Sequence, residues 1–136
     1  MKLRPALLLL ILWTTPILWL IYQADAGHAR WIFWRVGQIP GGDKLGHFVL
    51  YGGISFFANL VANASTVRLL GRPVLKWSVI LIALATAEEF SQLLFRWRSF
   101  DLWDLAAGAA GVWCLGLLAA KYARKQAVAQ RADPVP

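Results

Sequence analysis

The sequence is poor in charged residues. Lys, Arg, Asp and Glu together form only 15% of its 136 residues, whereas 59% are hydrophobic. A soluble domain typically has about 25% charged and about 45–50% apolar residues. This scarcity of charge argues against a soluble globular domain, and a lipid bilayer accounts for the excess of apolar residues.

Cysteine and acidic residues are also scarce. Cys114 is the one cysteine, so an intramolecular disulfide is excluded and the cysteine count says nothing about the compartment. Seven acids stand against 14 basic residues, which gives a net charge of +7. The basic residues lie at the ends of apolar runs and form no patch between aromatic residues, so we expect no nucleic-acid binding.

Long apolar runs, in contrast, are abundant. A membrane-spanning helix needs about 20 mostly apolar residues. The runs that come close to this length are 6–22, 45–62, 77–95 and 102–120. The sequence therefore predicts an all-α membrane protein with four transmembrane helices and short loops, formed as one domain over residues 1–122. Residues 123–136 are expected to be a disordered cytoplasmic tail.

The basic residues predict the orientation of these helices. Nine of the 14 Lys and Arg residues, with one acid, fall on the side that holds both termini. The opposite side holds five basic residues and six acids. Because basic residues are enriched on the cytoplasmic side of membranes, both termini are expected in the cytoplasm. Ala24-Asp25-Ala26 matches a signal-peptidase site, but the first apolar run is longer than a signal peptide requires, so we expect residues 1–22 to be retained.

Polar side chains gather near the outer ends of three predicted helices. Ionisable groups below the membrane surface usually face a bundle interior or a wet cavity. Spacings of three or four residues place them on common helix faces. A polar pocket at the outer side is therefore expected. Its candidate members are Lys44, His47, Tyr51, Glu89, Gln92, Arg98, Asp101 and Asp104.

Structural roles explain several of these residues equally well. Asp43 and Asp101 stand where helix N-caps belong, and His47 could form an interhelical hydrogen bond. Glu89 is harder to explain in this way, because a buried carboxylate needs a partner or a proton. Its expected partners are His47, Arg98 and Lys44, whereas Glu88 is expected to face headgroups or the first loop.

Taken together, these residues resemble the VanZ-like family of small bacterial membrane proteins. The motifs that carry the resemblance are Asp43-Lys44-x-x-His47-Phe48-x-x-Tyr51, Glu89-x-x-Gln92 and Arg98-Ser-Phe-Asp101-x-x-Asp104. They fall within residues 43–116. One departure is Gly108, where the family usually has Asn. The resemblance implies a protein of the bacterial cytoplasmic membrane that is linked to glycopeptide (teicoplanin) susceptibility.

Two kinds of function fit such a pocket. A binding protein would recognise membrane lipids through their headgroups, a lipid-linked envelope precursor or a glycopeptide. An enzyme would use Glu89 and His47 as an acid/base pair on a lipid-linked substrate. In either case Lys44 and Arg98 would hold an anionic group such as phosphate.

A small ion or proton carrier is a third interpretation. It needs a polar path across the membrane, and the cytoplasmic halves of the predicted spans offer few polar residues. The acids and His47 match no recognised metal-ligand spacing, so we expect neither a metal nor another cofactor. The oligomeric state is left open.

Overall fold

Most of the described part of the chain is helical. The computed structural model describes residues 3–96 and 98–132. Its helices are α1 (Leu3–Asp25), α2 (Arg30–Gly37), α3 (Gly42–Val61), α4 (Lys76–Ser91) and α5 (Leu102–Ala132), and a 3₁₀ turn, Gln92–Leu94, follows α4. The predicted helical architecture is confirmed. The predictions that concern residues 1, 2, 97 and 133–136 fall outside the described residues.

Three of the described helices are long and apolar enough to cross a membrane. They are Pro5–Asp25, Lys76–Leu94 and Leu102–Gln130, which correspond to the first, third and fourth predicted spans. The second predicted span, 45–62, coincides with the 20-residue helix α3. Polar residues lower the hydropathy of α3, and by composition it is not one of these three.

Helix α3 nevertheless lies at the centre of the bundle, against α1, α4 and α5. Its contact with α5 is a close approach of backbones: a Cβ on Gly52 would lie 3.0 Å from the carbonyl oxygen of Gly111. A Cβ on Gly111 would in turn overlap the backbone of Phe48. On a neighbouring face of α3, Trp13 of α1 packs on Gly53. Such small residues let membrane helices approach closely.

A β-hairpin joins α3 to α4, so the prediction of an all-α chain is wrong in this loop. Strand β1 (Thr66–Leu69) pairs antiparallel with β2 (Arg72–Leu75). The two residues between the strands, Leu70 and Gly71, have φ angles of 50° and 78°. Positive φ at both positions is the geometry of a two-residue type I′ hairpin turn, and Gly71 adopts it without strain.

Helix α5 continues well beyond the predicted fourth span. The expected disordered tail, 123–136, is helical as far as Ala132. Its composition explains this difference, because Ala, Lys, Arg and Gln are strong helix formers and no Gly or Pro interrupts them before Pro134.

Candidate functional site

The predicted pocket residues come together at one end of the bundle, where α1 and α4 end and α3 and α5 begin. They form one hydrogen-bonded network, which we call the polar-end cluster. Its members are Asp25, Asp43, Lys44, His47, Tyr51, Glu88, Glu89, Gln92, Arg98, Asp101 and Asp104. All eight residues that the sequence singled out belong to it, together with Asp25, Asp43 and Glu88.

Lys44 holds the rim of this cluster together. Its Nζ lies 2.8 Å from Asp43, 3.2 Å from Asp101 and 3.1 Å from Asp104. Oxygen atoms of these three carboxylates lie within 4.8 Å of one another, a grouping that could hold a metal ion. The ammonium group of Lys44 already supplies the positive charge there, so the arrangement is explained without a metal.

The rim charges stabilise one another. Lys44 hydrogen bonds lower the pKa of Asp43. The backbone N–H of Trp103 and then the Lys44 ammonium lower the pKa of Asp101. Hydrogen bonds to Asp43 and Asp104 raise the pKa of Lys44. The Trp103 N–H donates to Asp101 Oδ1 over 2.8 Å, which confirms the predicted capping role of Asp101 at the start of α5. The same prediction for Asp43 is wrong, because the N-cap of α3 is Gly41 and Asp43 lies in the first turn.

Deeper in the cluster, Glu88 accepts hydrogen bonds from three side chains. Tyr51 donates its hydroxyl over 3.0 Å, Gln92 donates its amide over 3.3 Å, and Arg98 donates NH2 over 3.0 Å. Arg98 also donates NH1 to Asp25, 3.1 Å away, which ties the end of α1 to the linker before α5. The expectation that Glu88 faces headgroups or the first loop is wrong, since its side chain is only 17% exposed.

Glu89 is the most deeply buried acid of the cluster, at 2% exposure. Its Oε1 accepts the backbone N–H of Asp101 over 2.8 Å, and its Oε2 accepts the Gln92 amide over 3.0 Å. The sequence predicted His47, Arg98 or Lys44 as its partners. In the described structure its hydrogen bonds come instead from the side-chain amide of Gln92, three residues further along the chain, and from a backbone N–H. Of these two contacts, only the backbone one could not be indicated by a residue pattern.

His47 lies between the rim and the deeper part. Its Nδ1 is 3.1 Å from the carbonyl oxygen of Asp43, and because a carbonyl can only accept, Nδ1 carries a proton. The same nitrogen is 3.8 Å from Asp104 Oδ2. The imidazole stacks on Tyr51, with ring centroids 6.0 Å apart. A Cβ on Gly108 would lie 3.2 Å from the Tyr51 ring, so this ring occupies the space beside the position where the family usually has Asn.

The polar-end cluster carries a large excess of acid. Six carboxylates face two permanent cations, Lys44 and Arg98, and both cations already donate to carboxylates. Side-chain exposure falls from 44% at Asp43 to 14% at Asp104, and Glu89 lies at the bottom. The hypothesis that Lys44 and Arg98 hold a phosphate gains no support from these contacts.

A second group of polar residues lies further along α3, and we call it the inner cluster. It consists of Ser55, Asn59 and Ser78, all with 0% exposure. Ser55 donates to the carbonyl of Val112 over 2.8 Å, and Asn59 Nδ2 donates to the Ser55 carbonyl over 2.9 Å and lies 3.2 Å from Ser78 Oγ. Within the described part of the chain, Asn59 Oδ1 is buried without a hydrogen-bond partner.

Sequence reasoning missed the inner cluster by treating that half of the spans as almost free of polar groups. A signal was present nonetheless. Positions 44, 47, 51, 55 and 59 are all polar and recur every three or four residues, which marks one continuous face of α3. Neutral Ser and Asn residues are a weaker sequence signal than charged residues. Their contact can be predicted only from their position on a common helix face.

Comparisons with known proteins add nothing to this geometry. No protein-family model, no curated protein and no solved structure matches the chain. The VanZ-like resemblance is carried by its three motifs alone, and function has to be inferred from the two clusters.

Proposed function

We propose that the chain is a VanZ-like membrane protein of the bacterial envelope that binds an amine-bearing ligand at the outer leaflet through its polar-end cluster. The ligand class comprises ammonium-carrying lipid headgroups, lipid-linked precursors and glycopeptides. The three motifs support the envelope setting. The excess of basic residues on the opposite side supports cytoplasmic termini and an outward-facing cluster.

Four spanning helices belong to this proposal. The packing of α3 against α1, α4 and α5 supports a transmembrane position, because its buried polar groups find partners on neighbouring helices. A polar side chain within a span is tolerated when it faces the bundle interior. Lys44 and its carboxylates lie at the N-terminal end of α3, where charged groups can reach the membrane surface.

The observation that carries the ligand class is the excess of acid. Lys44 and Arg98 are each held by carboxylates, so neither is available to an incoming anion without losing those contacts. An ammonium group entering beside Asp43 and Asp101 would instead offset the remaining negative charge. The side-chain exposure of the carboxylates decreases stepwise from this rim to Glu89, so an ammonium group would enter the cluster from the rim.

The contacts favour binding over acid/base catalysis. Glu89, the proposed acid or base, already accepts hydrogen bonds on both oxygens, from Asp101 and Gln92. His47 has Nδ1 engaged with a backbone carbonyl. General acid/base catalysis requires one of these groups to reach a substrate proton, directly or through one water, and Glu89, at 2% exposure, does not reach the surface of the cluster in this structure.

Thermal unfolding of the purified protein in detergent tests the ligand class. We expect short-chain phosphatidylethanolamine to raise the unfolding temperature, and its N-acetyl derivative, which lacks the positive charge, to have little effect. Asp101→Asn should weaken the response, because Asn keeps the helix cap and removes a charge. An equal response to both lipids would contradict the proposal.

The Lys44→Met substitution should change affinity in opposite directions for an ammonium-bearing ligand and for a phosphate-bearing ligand. Removing this cation makes the cluster more acidic, so binding of an ammonium group should strengthen. A phosphate-binding site would lose affinity instead. Teicoplanin susceptibility of cells that express the wild type or Asp101→Asn then tests the envelope role, and equal susceptibility with both, and without the protein, would reject it.

A further inference from the structure

The hairpin between α3 and α4 has an apolar face that the bundle does not cover. In the β1–β2 register Val67 pairs with Val74 and Leu69 pairs with Arg72, so these four side chains share one face. Val67 is 43% and Leu69 50% exposed. On the other face, Leu75 is buried against the bundle. Leu75, at the base of β2, is the strand residue that is buried, whereas all of β1 and the start of β2 are exposed.

The tip of the hairpin extends this apolar face. Leu70, the first turn residue, is 96% exposed, the highest exposure among the large apolar residues of the described chain. Its φ of 50° is unusual for a side chain other than Gly, Asn or Asp. Leu70 does not contribute to packing within the described chain; with Val67 and Leu69 it forms one exposed apolar patch, and such a patch marks a contact with a membrane or another molecule.

The basic residues beside the apolar face of the hairpin indicate which partner this face contacts. Arg68 and Arg72 flank the leucine tip, and Lys76 follows directly in α4. The hairpin is joined without a linker to α4, which is long and apolar enough to span the membrane, so it lies at the bilayer surface. Apolar side chains surrounded by basic ones fit the boundary between acyl chains and anionic headgroups.

Hairpin stability supports the same partner. A two-stranded hairpin of this size is at best marginally stable by itself in water. Each strand also has one edge without a strand neighbour in the described structure. Headgroups and interfacial water can satisfy these backbone groups, whereas the hydrocarbon core cannot. The hairpin therefore belongs at the interface, with its leucines inward.

We propose that this hairpin is a membrane-surface anchor: Leu69 and Leu70 insert into the leaflet next to the end of α3, and Arg68 and Arg72 bind anionic phospholipid headgroups. This goes beyond ligand binding at the polar-end cluster, which lies at the other end of the bundle. It requires only that the flanking helices cross the membrane.

A single-cysteine probe in the full chain tests the anchor. With Cys114 replaced by Ser, a Leu70→Cys variant carries an environment-sensitive fluorophore in liposomes of phosphatidylcholine with or without phosphatidylglycerol. The matched control places the same label at Gln130, near the end of α5 on the same side of the bundle. We expect blue-shifted emission and quenching by nitroxide lipids at position 70, and water-like emission at 130.

Two further results complete the test. Phosphatidylglycerol should deepen the quenching at position 70, and Arg68→Ser with Arg72→Ser should remove that lipid dependence while leaving the protein in the membrane. Water-like emission at position 70 in both lipids would overturn the proposal. So would protection that depends on protein concentration rather than on lipid, since that result would indicate a second copy of the chain as the partner.

Discussion

The polar-end cluster and the inner cluster lie on the same face of α3 and solve the problem of polar groups in a membrane protein in different ways. The first is built from charges, and its rim reaches 44% exposure at Asp43. The second is built from neutral Ser and Asn side chains with 0% exposure. Charges occur where pairing and water are both available, and small neutral groups occur where neither water nor countercharge can reach.

This difference separates two roles along one helix. The inner cluster fixes α3, α4 and α5 against one another, because Gly116 leaves just enough room for Ser55, Asn59 and Ser78. The polar-end cluster joins the same helices through longer side chains, which can rearrange. The polar-end cluster, which is proposed to accept a ligand, therefore lies next to the inner cluster, where the helices are held in fixed positions.

The largest effect should come from breaking the deepest ion pair. Arg98→Ala leaves Glu88 and Asp25 without their cation, and loss of one partner from such a pair typically costs about 3–5 kcal/mol when it is buried. Glu88→Gln in the same protein should recover part of this loss, with a coupling energy of about 1–3 kcal/mol. Thermal unfolding in detergent of the two single variants and the double variant measures the coupling.

Glu89→Gln is the matched control for this cycle. The sequence predicted His47, Arg98 and Lys44 as partners of Glu89, whereas in the structure Arg98 forms ion pairs with Glu88 and Asp25. Combined with Arg98→Ala, Glu89→Gln should therefore have an additive effect. Strong coupling of Arg98 to Glu89, and none to Glu88, would show that the contacts of the cluster are assigned wrongly.

A smaller effect should follow from crowding the inner cluster. A Cβ at Gly116 would lie 2.5 Å from Ser78 Oγ and 2.9 Å from Ser55 Oγ, so Gly116→Ala must displace short side chains that have nowhere to move. Overpacking of this kind typically costs about 1–3 kcal/mol. Gly46→Ala, also in a helix, meets no atom within 4 Å and should be neutral or slightly stabilising. Equal unfolding temperatures for both variants would refute a tightly packed inner cluster.

Lowering the pH should have the smallest effect on the unfolding temperature. The pKa values of Asp43 and Asp101 are lowered in the folded protein relative to 3.8, so their contribution is complete above pH 3.8 and is lost as pH falls through the lower folded values. Unfolding temperatures recorded from neutral pH into this acid range should decline, and Lys44→Met should flatten the decline. The inner cluster has no titratable group, so Ser78→Ala should leave the profile unchanged in shape.

The amino-acid sequence was a good guide to the helices and to the membership of the site. Apolar runs located the three helices that are long and apolar enough to cross a membrane, and motif spacing predicted that Lys44, His47 and Glu89 meet at one end of the bundle. Both successes depend on residue type and periodicity, which a single sequence displays directly. The fourth span and the orientation stay predictions, since α3 carries too many polar residues for its composition to decide.

The pairing within the site could not be read in the same way. Whether Arg98 meets Glu88 or Glu89 depends on a rotation of α4 by one residue, and the bond from the Asp101 N–H to Glu89 depends on the path of a linker. The hairpin was not predicted, because the segment that contains Val67, Leu69 and Val74 is too short for a membrane-spanning helix and was assigned to a loop. Its turn at Leu70 also lacks the Asn-Gly or Asp-Gly pair that signals such turns.

The length of α5 has a practical consequence. Its 31 residues extend roughly 46 Å at 1.5 Å per residue, against a hydrocarbon core of about 30 Å. A helix of this length that crossed a bilayer would extend its final turns past the hydrocarbon core. At 15.2 kDa the protein is too small to be located easily in single-particle images. A soluble helical protein fused in register after Ala132 would form one unbroken rod with α5 and give particle alignment a fixed reference outside the detergent micelle.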